Sequence, residues 1–103
     1  MRLGIVVTDS AHAAAAAGLI GAARARDWMA ECFLTDTGVM LLADAQFVAL
    51  ARAVPGSVMV CEHSVERFAD GAFDIHALAD DIVVGGQYQD AELVHRCDKV
   101  LVF

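Results

Sequence analysis

The sequence predicts an α/β fold: one three-layer α/β/α domain built on an open, mostly parallel sheet of five strands. Short apolar segments alternate with helical segments along the whole chain, which is the pattern of repeated βαβ units. The first apolar segment, residues 3–7, is apolar on both sides, as expected of a strand in a sheet that is covered on both faces. The 103 residues are enough for one core, so we expect a single domain, residues 1–103.

The composition narrows the class of protein. A net charge of −7 with only seven lysines and arginines gives no basic surface, so we expect no nucleic acid partner. Hydrophobic residues make up 58% of the chain, which is high for a small monomer and predicts a buried interface with other subunits. No segment has the roughly 20 apolar residues of a membrane span, and no export signal is visible, so we expect no membrane partner and a cytoplasmic location.

The elements follow from local patterns. Strands are predicted at 3–7, 28–35, 58–60, 82–84 and 99–103, and helices at 11–27, 43–54, 74–79, 87–96 and from residue 61 onward. The apolar residues 39–42 either start the second helix or cover a site. Gly18 and Gly21 each cost about 1 kcal/mol relative to alanine in a helix, so we expect another element to pack closely there. In the second strand, Cys32 is on the face opposite Glu31 and Thr35, and we interpret it as a core residue.

Polar loops follow the carboxyl ends of four predicted strands, where parallel sheets bind their ligands. These loops contain Asp9 and Ser10, Asp36, Cys61, and Gln87 followed by Tyr88. All are candidates for a pocket. Asp9 or Ser10 has an ordinary alternative as a helix cap, and so do Gln87 and Tyr88.

Cys61 is the strongest candidate for chemistry. It follows a Pro55-Gly56 turn and the apolar residues 58–60, and a helix is predicted to begin beside it. Free N–H groups at a helix start lower the pKa of a thiol. His63 and Arg67 are spaced to face the same cavity, while neighbouring glutamates disfavour a thiolate. The alternative is a buried structural cysteine.

Three segments together resemble the DsrE family of sulfur-relay proteins, including its DsrF- and TusD-like members. The run Val60-Cys61-x-x-Ser64-x-x-Arg67 resembles the family's cysteine segment, and residues 91–103 resemble its closing helix and last strand. Gly85-Gly86-Gln87-Tyr88 resembles the polar turn before that helix. The chain departs from the family pattern at Glu62, and at Phe68, where a glycine usually follows the arginine.

The resemblance implies a DsrE-like fold and a cytoplasmic sulfur carrier or sulfurtransferase. Cys61 would hold sulfane sulfur as a persulfide and pass it to a partner thiol, supported by His63, Ser64 and Arg67. The implied partners are a sulfur donor protein, an acceptor protein and identical or related subunits in a homo- or hetero-oligomer. No cofactor is implied. The alternatives are a non-catalytic subunit of the same fold and a module that binds a small ligand or nucleotide.

Cys97 is a candidate for a second sulfur acceptor, or a residue that packs the last helix against the sheet. Cys61-x-His63 and His95-x-Cys97 would supply four metal ligands if they met, but their spacings match no standard zinc pattern, so no metal is predicted. A Cys61–Cys97 disulfide is disfavoured because the start of one helix and the end of another usually lie at opposite sheet edges.

Overall fold

The structure, a computed structural model that describes all 103 residues, contains one open sheet of five parallel strands. The strands are β1 (Arg2–Val7), β2 (Met29–Leu34), β3 (Val58–Cys61), β4 (Val83–Gly85) and β5 (Lys99–Val102). Their order across the sheet is β4-β3-β2-β1-β5. Helices pack on both faces of the sheet, so the predicted three-layer α/β/α class is confirmed.

The helices are α1 (Ala13–Ala25), α2 (Ala45–Ala53), α3 (Glu62–Phe68), α4 (Ile75–Leu78) and α5 (Gln87–Arg96). Two 3₁₀ segments, Ser10–His12 and Asp36–Ala43, precede α1 and α2. The first predicted helix therefore begins as a 3₁₀ turn, capped by the Asp9 carboxylate, which accepts a hydrogen bond from the Ala11 N–H. The apolar residues 39–42 belong to the second 3₁₀ segment. None of the helices combines the length and apolar character needed to cross a bilayer.

The two faces of the sheet carry cores of different size. One core of 19 buried residues joins the sheet to α1, α2 and the second 3₁₀ segment. The other lies under α5 and contains only Val6, Phe33, Met59, Cys61 and Leu93. We call this second surface the α5 face. Cys32 is buried in the larger core, as predicted.

Close packing occurs at glycines other than those expected. A Cβ atom on Gly18 or Gly21 would meet nothing within 4 Å, and both residues are exposed, so the expected close approach to α1 is wrong. The 3₁₀ segment instead crosses the end of β1 at Gly38, where a Cβ atom would collide with the Val7 carbonyl oxygen. Gly4 is similarly covered by Leu93 and Cys97. The contact at Gly38 holds the segment after β2 against the end of β1, and the contact at Gly4 lets α5 pack closely on β1.

Candidate thiol site at the carboxyl edge of the sheet

Cys61 is the last residue of β3 and the residue from which α3 begins. All four residues of β3 are buried, and only 5% of Cys61 is exposed. The turn before the strand depends on Gly56, whose φ of 85° is unfavourable for other residues. The side chain of Cys61 lies on the α5 face, in the smaller core. The fold therefore places this thiol at the carboxyl edge of the sheet.

Polar groups of Ser64, His63 and Thr35 determine the acidity of Cys61. Burial is the largest single influence and raises the pKa of the thiol. Hydrogen bonds from the Ser64 hydroxyl, the Ser64 and His63 N–H groups and the Thr35 hydroxyl outweigh it. The pKa of Cys61 is therefore lowered, because these donors favour the thiolate over the thiol. A larger fraction of Cys61 is ionised near neutral pH than for an ordinary cysteine.

Ser64 links the cysteine to the end of β2. Its side chain is buried, and its Oγ accepts a hydrogen bond of 2.9 Å from the Asp36 N–H. Ser64 Oγ and Thr35 Oγ1 lie 3.2 Å apart and share a second hydrogen bond. Asp36 has a φ of 49°, a left-handed conformation that aspartate tolerates better than most residues. The chain therefore turns sharply where it meets Ser64.

Gln87 extends the same network from the start of α5. Its Nε2 donates a hydrogen bond of 3.3 Å to Thr35 Oγ1. Gly85, the last residue of β4, pairs with Cys61, and α5 begins two residues later at Gln87 and packs its Leu93 in the same small core as Cys61. Three loops predicted to meet at this edge, those after β2, β3 and β4, are thus brought together around Cys61.

The loop after β1 joins the edge through Thr37 and not through the cysteine. The Ser10 N–H donates to Thr37 Oγ1 at 3.2 Å, and Thr37 Oγ1 in turn donates to the Thr8 carbonyl oxygen at 3.4 Å. Asp9 and Ser10 are exposed. Asp9 acts as the helix cap that was the ordinary alternative for this position.

Several predicted site residues point their side chains elsewhere. His63 is exposed and reaches Cys61 only through its backbone N–H. The Arg67 guanidinium lies 4.7 Å from the centre of the Phe68 ring. Neither residue lines any of the three cavities, so the expectation that they share one is wrong; on α3 it is Glu62 and Glu66 that face a cavity. Tyr88 is 72% exposed.

Cys97 has a different environment. Its Sγ donates a hydrogen bond of 3.3 Å to the Glu31 carboxylate, which also binds Arg96 Nε at 2.8 Å. Burial, followed by the Glu31 hydrogen bond and charge, raises the pKa of Cys97 to about 11. Burial alone raises the pKa of Cys32 to about 12. Both thiols therefore stay protonated at neutral pH, and all three cysteines are free.

Two partners of the thiols were not among the predicted site residues. Thr35 follows from the alternation of β2 once β2 is known to lie beside β3, but the sequence leaves the strand order open. Glu31 lies on the same face of β2 as Thr35. It is under α5, where it contacts Arg96 and Cys97. No group of three or more histidine, cysteine, aspartate or glutamate side chains is arranged to hold a metal ion.

A scan against models of known protein families found no match for this chain, and a search of curated proteins found none either. The geometry of the thiol site therefore carries the functional argument.

Proposed function

We propose that the protein is a sulfur carrier that holds sulfane sulfur as a persulfide on Cys61 and passes it to a partner thiol. The observation that supports this most is the lowered pKa of Cys61, which the neighbouring Ser64, His63 and Thr35 groups bring about despite burial. The other two cysteines have raised pKa values. A thiolate is the reactive form of cysteine, so Cys61 is the one thiol prepared for nucleophilic attack at neutral pH.

The reaction needs no oxidant and no reductant. The Cys61 thiolate attacks the outer sulfur of a donor persulfide, R–S–SH. A new S–S bond forms on Cys61, the donor's S–S bond breaks, and RS⁻ leaves and takes a proton from water. An acceptor thiolate then attacks the outer sulfur of the Cys61 persulfide, and Cys61 leaves as a thiolate. The lowered pKa of Cys61 helps this second step, because a thiol of lower pKa leaves faster.

The donors act as positioning residues for both steps. Ser64 and Thr35 are neutral, so they stabilise a thiolate without binding it as tightly as a cation would. The Asp36 N–H holds the Ser64 oxygen and the Gln87 amide holds the Thr35 oxygen, so both hydroxyl groups are kept in place beside the thiol. No cofactor takes part in the proposed reaction.

Intact-mass measurement after incubation with polysulfide tests the proposal. Wild type is compared with Cys61→Ser, and Cys97→Ser and Cys32→Ser serve as matched controls. We expect an adduct of about 32 Da, one sulfur, that dithiothreitol removes and that only Cys61→Ser lacks. An adduct that disappears in Cys97→Ser instead would place the carrier on the last helix and overturn the proposal.

A non-catalytic subunit of the same fold is the second candidate, and the 5% exposure of Cys61 favours it. Folded wild-type protein that takes up no sulfur at all would support this candidate over the carrier. A subunit of either kind needs a partner surface. Val94, Leu101 and Val102 are exposed on α5 and on the outermost strand β5, and we propose that identical or related subunits cover this edge.

The donor and acceptor proteins and the cytoplasmic setting belong to the same proposal, since persulfide transfer requires reduced thiols on both sides.

A further inference from the structure

Two neighbouring cavities lie along β4, at the opposite end of the sheet from β5. The larger has a volume of about 480 Å³ and lies between α3, α4 and Val84. The smaller, of about 330 Å³, is lined by Val83, Val84 and the turn before β4. They share Ala79 and Val84, so together they form one groove along the strand, which we call the β4 groove. A groove of this combined size is large enough for a ligand longer than one side chain.

The β4 groove is lined by negatively charged side chains and by no lysine or arginine. Its floor is apolar and includes Val65, Phe73 and Ile75. None of the seven lysine and arginine residues lines it. Apart from carboxylates, the one ionisable side chain in its lining is His76. Five carboxylates line the groove: Glu62, Glu66, Asp70, Asp80 and Asp81. Only Asp81 has an ion-pair partner, Arg52 at 3.4 Å, so four of the five are free to bind an incoming cation.

The groove also runs beside an unpaired strand edge. β4 is the last strand of the sheet and pairs only with β3. Its outer backbone groups can therefore accept another strand, as in complexes where an extended peptide extends a sheet. β4 has no lysine or proline of the kind that often protects such an edge, and Val83 is partly exposed there.

We propose that the β4 groove binds an extended basic segment of a partner protein. Main-chain hydrogen bonds to β4 align the segment, its apolar side chains pack on the floor, and its lysine or arginine side chains pair with the four free carboxylates. Charge complementarity favours this occupant over an acidic or neutral one. The proposal is independent of persulfide chemistry, because Cys61 faces the α5 face and lines none of the cavities.

The probe is an acetylated and amidated pentapeptide of alternating lysine and valine, added to the full chain labelled with ¹⁵N. We expect amide shifts concentrated at Ala79, Val83 and Val84, and binding that weakens as salt is added. The same peptide with glutamate in place of lysine should not bind. Cys61→Ser protein should bind the lysine peptide as wild type does, which separates this result from the outcome of the sulfur experiment.

Two matched variants decide between a specific groove and general attraction to an acidic protein. Glu66→Gln and Glu92→Gln each remove one exposed helical charge, but only Glu66 lines the groove. We expect Glu66→Gln to weaken binding about threefold and Glu92→Gln to leave it nearly unchanged. Ala79→Arg, at an exposed position shared by both cavities, should abolish it. Equal losses in the two glutamate variants, shifts spread over the whole acidic surface, or binding of a simple amine but not of the peptide would each overturn the proposal.

Discussion

The Cys61 sulfur faces two N–H groups and two hydroxyl groups, whereas the Cys97 sulfur faces the Glu31 carboxylate. Both thiols lie on the α5 face, and both are affected by burial. Their pKa values nevertheless move in opposite directions, because a donor stabilises the thiolate and a carboxylate destabilises it. At this scale the chemistry depends on single contacts, and single substitutions test it.

Removing the Ser64 hydroxyl should make Cys61 a weaker acid. In Ser64→Ala the sulfur loses its main side-chain donor while its burial remains, so we expect the midpoint of its alkylation rate against pH to rise, and the rate at pH 7 to fall. The measurement is iodoacetamide labelling followed by mass spectrometry of the Cys61 peptide. Ser10→Ala removes a hydroxyl at the same sheet edge without touching the cysteine, and it should leave the profile unchanged. A profile that stays the same in Ser64→Ala would exclude the hydroxyl as a determinant of the pKa.

Replacing Glu31 should have the opposite effect on Cys97. In Glu31→Gln the negative charge beside the thiol disappears, so we expect the alkylation midpoint of Cys97 to fall from about 11. It should remain above the ordinary value, because burial is the larger cause and is retained. The Cys61 profile in the same protein is the internal control. A Cys97 midpoint that does not move would mean that burial alone sets it.

At the scale of elements, the site depends on how the second 3₁₀ segment crosses β1 and meets α3. Gly38 lies against the Val7 carbonyl, and Asp36 donates its N–H to Ser64. The same segment therefore packs against the sheet edge and orients Ser64, whose hydroxyl lies beside the Cys61 thiol. Glycines in α1 have no such contact.

Two glycine-to-alanine substitutions should change stability in opposite directions. Gly38→Ala places a methyl group against backbone that cannot move aside, so we expect a loss of about 2 kcal/mol or more in the free energy of unfolding. Gly18→Ala adds the methyl group in open space within a helix, so we expect a gain of up to about 1 kcal/mol. Urea denaturation measures both. A Gly38→Ala protein as stable as wild type would show that the 3₁₀ segment does not pack on Val7 in solution.

For the whole molecule, buried thiols make stability depend on alkaline pH. In the folded chain the pKa of Cys32 is about 12 and that of Cys97 about 11, whereas an unperturbed thiol has 9.0. Above about pH 9 the unfolded chain loses these protons and the folded chain keeps them, so unfolding becomes more favourable as pH rises. The pKa of Cys61 in the folded chain lies below 9.0, so its ionisation affects stability at lower pH and in the opposite direction: it favours the folded chain as pH rises toward 9.

The free energy of unfolding should therefore fall between about pH 9 and 11, and more steeply in wild type than in Cys32→Ala. The difference in slope should approach 1.4 kcal/mol per pH unit, which is about the value for one proton. Urea denaturation at several pH values gives the slopes. Identical slopes in the two proteins would mean that Cys32 is accessible to solvent in the native state.

Much of the architecture could be predicted from local patterns. Every predicted strand lies within two residues of its position in the structure, and the predicted helix at 87–96 coincides with α5. The least accurate region was residues 36–43, because a 3₁₀ segment has no apolar period of its own and is held by contacts such as that of Gly38. The error at Gly18 and Gly21 has a similar origin, since a glycine in a sequence does not reveal whether anything approaches it.

The sequence alone determined the α/β class and the position of Cys61 at the carboxyl edge of a parallel sheet. These follow from periodicity and from the alternation of strands with helices, which are local properties of the chain. Only the tertiary structure decided which distant residues meet each thiol. The strand order puts β2 beside β3 and so brings Thr35 to Cys61, where α3 already supplies Ser64, while α5 crosses the same face of the sheet and brings Cys97 to Glu31. Acid strength depends on neighbours in space, and for each thiol one of them, Thr35 for Cys61 and Glu31 for Cys97, comes from a residue far away in the chain.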